Sequence, residues 1–253
     1  MSLVRVESRG AIRIVRLDKP RGNAIDPPLV EELIATVDAL RADADVRGVL
    51  LASAHPSLFC PGLDLVHLST LDRAAMERFM LRFAALLHAL FALPRPVVAA
   101  VGGHAVAGGC VLALTADYRV LARTARIGLN EVKVGVPLPW SVALLLKAAV
   151  APPALTRVAL LGRNFSGDEA VEAGLTDEVV DSGGFEEACL ARLDEFAEKD
   201  PYSYARIKAY LREPVLASMK AEELQRLPEW LDGWFSPSTR ARVAETVAAI
   251  SRK

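Results

Sequence analysis

Glu131 stands among Ile127, Gly128, Leu129, Val132 and Val134, a lone acid in an apolar neighbourhood. Desolvation raises a carboxyl pKa, which suits such a group to taking and returning a proton near neutral pH. Lys133 lies close by, so a surface ion pair is the competing role for this glutamate. The second chemical feature is the glycine run Gly102, Gly103, Gly108 and Gly109. Gly108 and Gly109 open a segment of helical character, and the first N–H groups of a helix have no partner inside it. A bare N–H there can receive negative charge developing on a carbonyl oxygen. The run has neither the G-x-G-x-x-G pattern nor the G-K-[ST] ending of a nucleotide loop, whereas close backbone packing remains a role that glycines fill. A second donor is available in Pro61-Gly62-Leu63-Asp64, where Gly62 permits a tight turn that exposes the Leu63 N–H. Asp64 in that loop is also a natural structural cap. One acid beside two amide donors can polarise a carbonyl and move a proton next to it.

The surrounding elements must hold these groups together. Leu3 to Glu7 and Ala11 to Leu17 alternate in strand fashion around Arg9-Gly10 and predict a hairpin. Asp26 is the expected N-cap of a helix with Pro27 at its first position and Leu29, Val30, Leu33, Val37 and Leu40 on one stripe. Val46 to Ala52, Val97 to Val101, Tyr118 to Ala122 and Thr176 to Val180 read as strands, and Leu71 to Leu93 as a long helix ended by Pro94 and Pro96. Ser141 to Val150, Pro152 to Leu161 and Ser166 to Ala173 read as helices, and from Glu186 onward the pattern is helical, punctuated by Pro201, Pro214, Pro228 and Pro237. The order is β-β-α-β-α-β-α-β followed by helices, an α/β core with a helical tail. The expected division is a core over 1–195 and a helical region over 196–253.

Composition narrows the function. The chain has 253 residues, 52% of them hydrophobic, which supports a large core. Thirty basic residues against 31 acidic ones disfavour a nucleic-acid binder that relies on phosphate neutralisation. Cys60, Cys110 and Cys189 are dispersed, and His55, His67, His88 and His104 have no ligand spacing, so neither a disulfide framework nor a metal site is expected. Arg5, Glu7, Arg9 and Arg13 interrupt any signal-peptide core, and the apolar runs are too short or too interrupted for a membrane span. The expectation is a soluble, cytoplasmic protein.

The stretches SLFCPGLDL, PVVAAVGGHAVAGGCVLALTADYRVLA and IGLNEVKVGV resemble the enoyl-CoA hydratase/isomerase (crotonase) superfamily, and the likeness runs from about Val4 to Val180. The resemblance implies an α/β spiral of ββα units with a C-terminal helical trimerisation region, assembled as a trimer or a dimer of trimers. It implies an acyl-CoA ligand, with coenzyme A as part of the substrate rather than a cofactor, and a thioester oxygen between the N–H groups of Leu63 and Gly108. By the same resemblance Arg21, Ala24, Pro61 and Leu65 lie along the coenzyme A path, with Gly62, Asp64 and Gly109 in the loops that hold the thioester. Hydratases of the superfamily carry two glutamates, and the first of those positions is Val111 here; only the second survives, as Glu131. GLDL, IGLNE and the Pro139-Trp140 turn are similar to the mitochondrial-type Δ3,Δ2-enoyl-CoA isomerases, which work with a single glutamate in fatty acid β-oxidation. An apolar wall of Val111, Leu138 and Trp140 would exclude water from the reacting chain. Trp140 fits core packing equally well, and Asn130 serves either to orient Glu131 or the acyl chain, or as a turn residue. Trp230, Trp234 and Phe235 are expected in the core or at an interface in preference to contacting the ligand.

Overall fold

The computed structural model describes residues 2–20, 22–250 and 252. The chain opens with the antiparallel hairpin β1 (Val4–Arg9) and β2 (Ile12–Leu17) and continues into helix α1 (Pro27–Ala42). Asp26 caps α1 by accepting from the Leu29 N–H at 3.1 Å, with proline at the helix start. Three turns of one pattern follow. The first is β3 (Gly48–Ser53), β4 (Leu58–Cys60), and helices α2 (Leu65–Leu68) and α3 (Arg73–Phe91). The second is β5 (Val97–Val101), β6 (His104–Val106) and α4 (Gly108–Leu114). The third is β7 (Tyr118–Ala122), β8 (Ile127–Gly128) and α5 (Glu131–Val134). Helices α6 (Trp140–Ala149) and α7 (Pro152–Leu155) come next, then a π-helical turn Thr156–Leu160, β9 (Asn164–Phe165), α8 (Gly167–Glu172) and β10 (Glu178–Val180). Helices α9 (Phe185–Ala197), α10 (Pro201–Trp234) and α11 (Pro237–Ile250) complete the chain.

Each strand–strand–helix turn contributes its first strand to a six-stranded sheet, β1-β2-β3-β5-β7-β10, and its second to a small sheet, β4-β6-β8-β9. From β2 to β10 every pairing in the large sheet is parallel. Parallel strands are covered on both faces and so read as unbroken apolar runs. β5 shows why: Val97, Ala99 and Val101 face the main core with α1 and α3, while Val98 and Ala100 face Cys189, Leu190 and Leu193 of α9. The strands of the small sheet have two or three residues each, too few to show a period, and the sequence reading does not contain them. They are nevertheless the rails that carry the site: β4 leads to the Leu63 loop, β6 to Gly108 and β8 to Glu131.

Two expectations about helices are corrected. Pro152 to Leu161 is a single α-turn followed by a π-helical turn, not one helix. Pro214 and Pro228 do not divide the tail; both lie inside α10, which runs unbroken over 34 residues. A proline inside a helix loses one hydrogen bond, and the packing of α10 against the core outweighs that loss. Pro201 and Pro237 stand at helix starts, where the missing N–H costs nothing. No helix among the described residues is long and apolar enough to cross a membrane.

Candidate active site

Leu63 is placed by a single parallel bridge to Ile25. The Ile25 N–H donates to the Gly62 carbonyl at 2.8 Å, and the Asp64 N–H donates to the Ile25 carbonyl at 2.8 Å. With its two neighbours bonded to Ile25, Leu63 directs its own N–H away from that partner, and this N–H has no backbone acceptor among the described residues. Gly62 makes the turn with φ +102°, a conformation open to glycine. Gly108 is the first residue of α4, and its N–H likewise meets no backbone acceptor among the described residues. It follows Ala107, held at φ 50° and ψ −123° where a side chain is strained, so the chain turns sharply out of β6 before the helix begins.

The two loops touch backbone to backbone. A Cβ on Gly62 would lie 2.8 Å from the Ala107 Cβ and 3.1 Å from the Gly108 nitrogen. A Cβ on Gly109 would lie 2.0 Å from the Cys60 carbonyl oxygen. Gly62 and Gly109 make this close contact, and beside them Leu63 and Gly108 carry N–H groups that meet no backbone acceptor among the described residues. The Ala107 N–H also donates to the Gly128 carbonyl at 2.9 Å, which ties this junction to the strand just ahead of Glu131.

Leu63, Gly108 and Glu131 line one cavity of about 360 Å³. Glu131 opens α5, a helix of one turn buttressed by Gly162, whose Cβ would fall 2.8 Å from Val132 Cγ1 and 3.4 Å from Asn130 Cα. Its Oε2 is buried and has no hydrogen-bond partner among the described residues. Burial pushes the carboxyl pKa up to about 7, only partly opposed by a backbone hydrogen bond. Lys133 points into solvent and leaves that oxygen enclosed. Asp64 reaches the same cavity, but its carboxylate caps α2 through the His67 N–H at 3.0 Å and pairs with Lys19 Nζ at 3.1 Å. Glu131 is thus left as the acid on this wall with an uncommitted oxygen.

Of the other positions expected in the site, Ala24, Pro61, Leu65, Val111 and Asn130 line the cavity. Asn130 occupies the N-cap position of α5 without a side-chain capping bond and lines the cavity. Leu138 and Trp140 are not on the wall, a correction to the sequence reading. Leu138 packs against the main hydrophobic core instead. Pro137 and Pro139 face the cavity, while the Trp140 ring lies under the Arg226 guanidinium at 4.8 Å. Gly62 and Gly109 pack backbone to backbone at the junction and are not on the wall. Arg21 lies outside the described residues.

The sequence reading does not place Phe83, Val142, Thr246 and Ile250 on the wall, to which α3, α6 and α11 contribute them. Trp230 is buried in the main core, as the sequence leads one to expect, and it also reaches the cavity wall. It is apolar and helical like any core residue, so no spacing signal separates the two roles. Among the described residues no three His, Cys, Asp or Glu side chains form a group able to hold a metal ion.

Residues 7–229 match the family model described as enoyl-CoA hydratase/isomerase. A putative enoyl-CoA hydratase of Thermus thermophilus is 34% identical over 92% of this chain and 91% of its own length. The human mitochondrial enoyl-CoA delta isomerase 1 is 29% identical over 83% of this chain and 70% of its own. The crystal structure of human mitochondrial delta3-delta2-enoyl-CoA isomerase superposes with a TM-score of 0.96 over 99% of both chains at 24% identity, which bears on the fold. The spiral of strand–strand–helix turns, the two sheets and the long C-terminal helix are those of the crotonase fold, and the chain belongs to the enoyl-CoA hydratase/isomerase family.

Proposed function

We propose that this enzyme shifts the double bond of 3-enoyl-CoA thioesters to the 2-position, with Glu131 as the shuttling base. The observation that carries the reading is a carboxylate, its pKa near 7, with an oxygen that has no partner among the described residues, in one cavity with two backbone amides that meet no backbone acceptor among them. The thioester oxygen sits between the Leu63 and Gly108 N–H groups. Glu131 takes a proton from C2; the electron pair moves into the C1–C2 bond, and a dienolate forms whose negative charge rests on that oxygen. The protonated Glu131 then delivers the proton to C4, and the double bond settles between C2 and C3. No water enters the balance. Loss of one such amide donor typically costs about 3 kcal/mol of transition-state stabilisation, a hundredfold or more in rate.

Val111 supports isomerisation over hydration. It is 1% exposed, lines the cavity and occupies the position where the resemblance places a hydratase's other glutamate. Hydration needs a water activated on one side and a proton delivered on the other, and Asp64 is engaged elsewhere. The alternative, a hydratase or another crotonase-type acyl-CoA reaction, is favoured by the name of the Thermus thermophilus relative. Coenzyme A enters as part of the substrate, in fatty acid β-oxidation in the cytoplasm. α10 leaves Tyr202, Ile207, Tyr210 and Leu211 exposed, which supports assembly into a trimer or a dimer of trimers.

Assays of wild type and Glu131→Gln on 3-enoyl-CoA and 2-enoyl-CoA decide between the readings. The expected outcome is isomerisation without appreciable water addition, lost in Glu131→Gln while thioester binding persists. Near wild-type turnover in that variant would remove Glu131 as the base, and fast hydration by the wild type would favour the alternative.

A further inference from the structure

The cavity has an open end and a blind one. Val66 and Ile250 on its wall are 45% and 51% exposed, so the mouth lies between α2 and α11. Phe83, Val142 and Trp230 on the same wall are 2%, 1% and 5% exposed, so no solvent lies behind them. A bulky polar carrier such as coenzyme A stays toward the mouth, which sends the acyl tail to the blind end. We propose that Trp230, with Phe83 and Val142, is the stop that fixes the longest acyl chain this enzyme accepts; the inference rests on reading the cavity as an acyl-CoA site.

A stop must be rigid as well as present. The Trp230 indole N–H donates to the Pro137 carbonyl at 2.8 Å, which locks the ring to the loop forming the adjacent wall. The ring also stacks on Trp234, with centroids 5.6 Å apart and planes 15° from parallel. α10 cannot slide past that loop either, since a Cβ on Gly233 would fall 2.9 Å from Pro137 Cγ. Phe83 is held by stacking on Phe79, centroids 6.2 Å apart. None of these contacts gives the ring room to swing aside for a longer chain. They also explain why an apolar residue at a helix interface keeps a polar tip: the indole N–H orients the ring.

The test is a saturated straight-chain acyl-CoA series, from butanoyl to hexadecanoyl, titrated calorimetrically into wild type, Trp230→Ala and Val142→Phe, beside turnover on the matching 3-enoyl-CoAs. In the wild type, affinity climbs with each added carbon and then breaks off at a limiting length. Trp230→Ala moves that limit to longer chains and improves kcat/KM beyond the old limit by about tenfold or more, the discrimination one methylene commands in an apolar pocket. Val142→Phe moves it to shorter chains and serves as the test should Trp230→Ala fail to fold. A limit that stays put in both folded variants, or in Val142→Phe alone if only it folds, overturns the proposal. A limit that moves in an enzyme that isomerises no 3-enoyl-CoA supports the stop while sinking the assigned reaction. Failure to bind any acyl-CoA overturns both.

Discussion

Glu131 couples activity to stability through one proton. Its carboxyl titrates near 4.5 in a solvated chain and near 7 in the folded protein, because burial disfavours the charge. Between those values the native state still holds a proton that the unfolded state has released, so stability falls as pH rises through this window. The loss is complete above about pH 7 and amounts to about 3 kcal/mol. Glu131→Gln removes the charge, so it should be more stable than wild type by up to about 3 kcal/mol near pH 8 and level with it near pH 4, as read by urea unfolding. An equal gap at both pH values would mean that desolvation is not what raises this pKa. The proposed reaction needs the ionised form. Wild-type kcat/KM on 3-enoyl-CoA should therefore rise with pH, with an apparent pKa near 7, and level off above it. A flat profile from about pH 5 to 9 would detach the activity from this group. Glu131 was legible in the sequence because a charge in an apolar run is conspicuous. Trp230 was not, because a tryptophan on a helix looks the same whether it faces protein or a cavity.

At the scale of elements, the site depends on a junction rather than on any one helix. β4, β6 and β8 are two or three residues long and leave no periodic trace, yet their pairing sets the Leu63 loop, Gly108 and Glu131 side by side. The glycines that mark the junction were legible; that the Gly62 and Gly109 loops pack backbone to backbone was not, because it takes two loops distant in sequence to make the contact. The contact predicts sharply different outcomes for two similar changes. Gly109→Ala puts a methyl group 2.0 Å from the Cys60 carbonyl oxygen, where backbone would have to move. It should cost about 3 kcal/mol or more in urea unfolding, at the upper end for overpacking. Gly183 has open space where its Cβ would stand and no positive φ. Gly183→Ala should be neutral or stabilising by up to about 1 kcal/mol, through reduced freedom of the unfolded chain. Comparable small effects in both variants would mean that the loops do not meet as closely as the contact requires.

At the scale of the whole molecule, α10 acts as a strap that brings Trp230 to the cavity from an anchorage at its other end. The sequence shows that the tail is helical but not that one helix runs through Pro214 and Pro228, because the rule against interior prolines is local and the anchor is distant. That anchor is Asp117, 91 positions before Lys208 and located between α4 and β7. Its carboxylate takes Lys208 Nζ at 2.6 Å, Arg212 Nη2 at 2.8 Å and the Val97 N–H at 2.8 Å. Arg212 also lies over the Phe91 ring at 4.1 Å and donates to the Phe91 carbonyl at 2.6 Å. Burial draws the Lys208 pKa down to about 8 even beside this carboxylate. Asp117→Ala would leave two enclosed cations without their counter-charge, which typically costs about 3–5 kcal/mol. The deficit should depend on pH in a definite direction. Without Asp117 the folded-state pKa of Lys208 falls further, so the variant's native state gives up that proton earlier than the wild type's. Between the two values the variant's native state binds fewer protons than the wild type's, so its relative stability climbs with pH. The gap between the two proteins in urea unfolding should therefore narrow as pH is raised from about 6 toward 8, where the wild-type lysine also discharges, and change little beyond. A loss below about 1 kcal/mol would show that Asp117 does not hold the strap, and a gap that is flat across this range would assign its effect to packing rather than to charge.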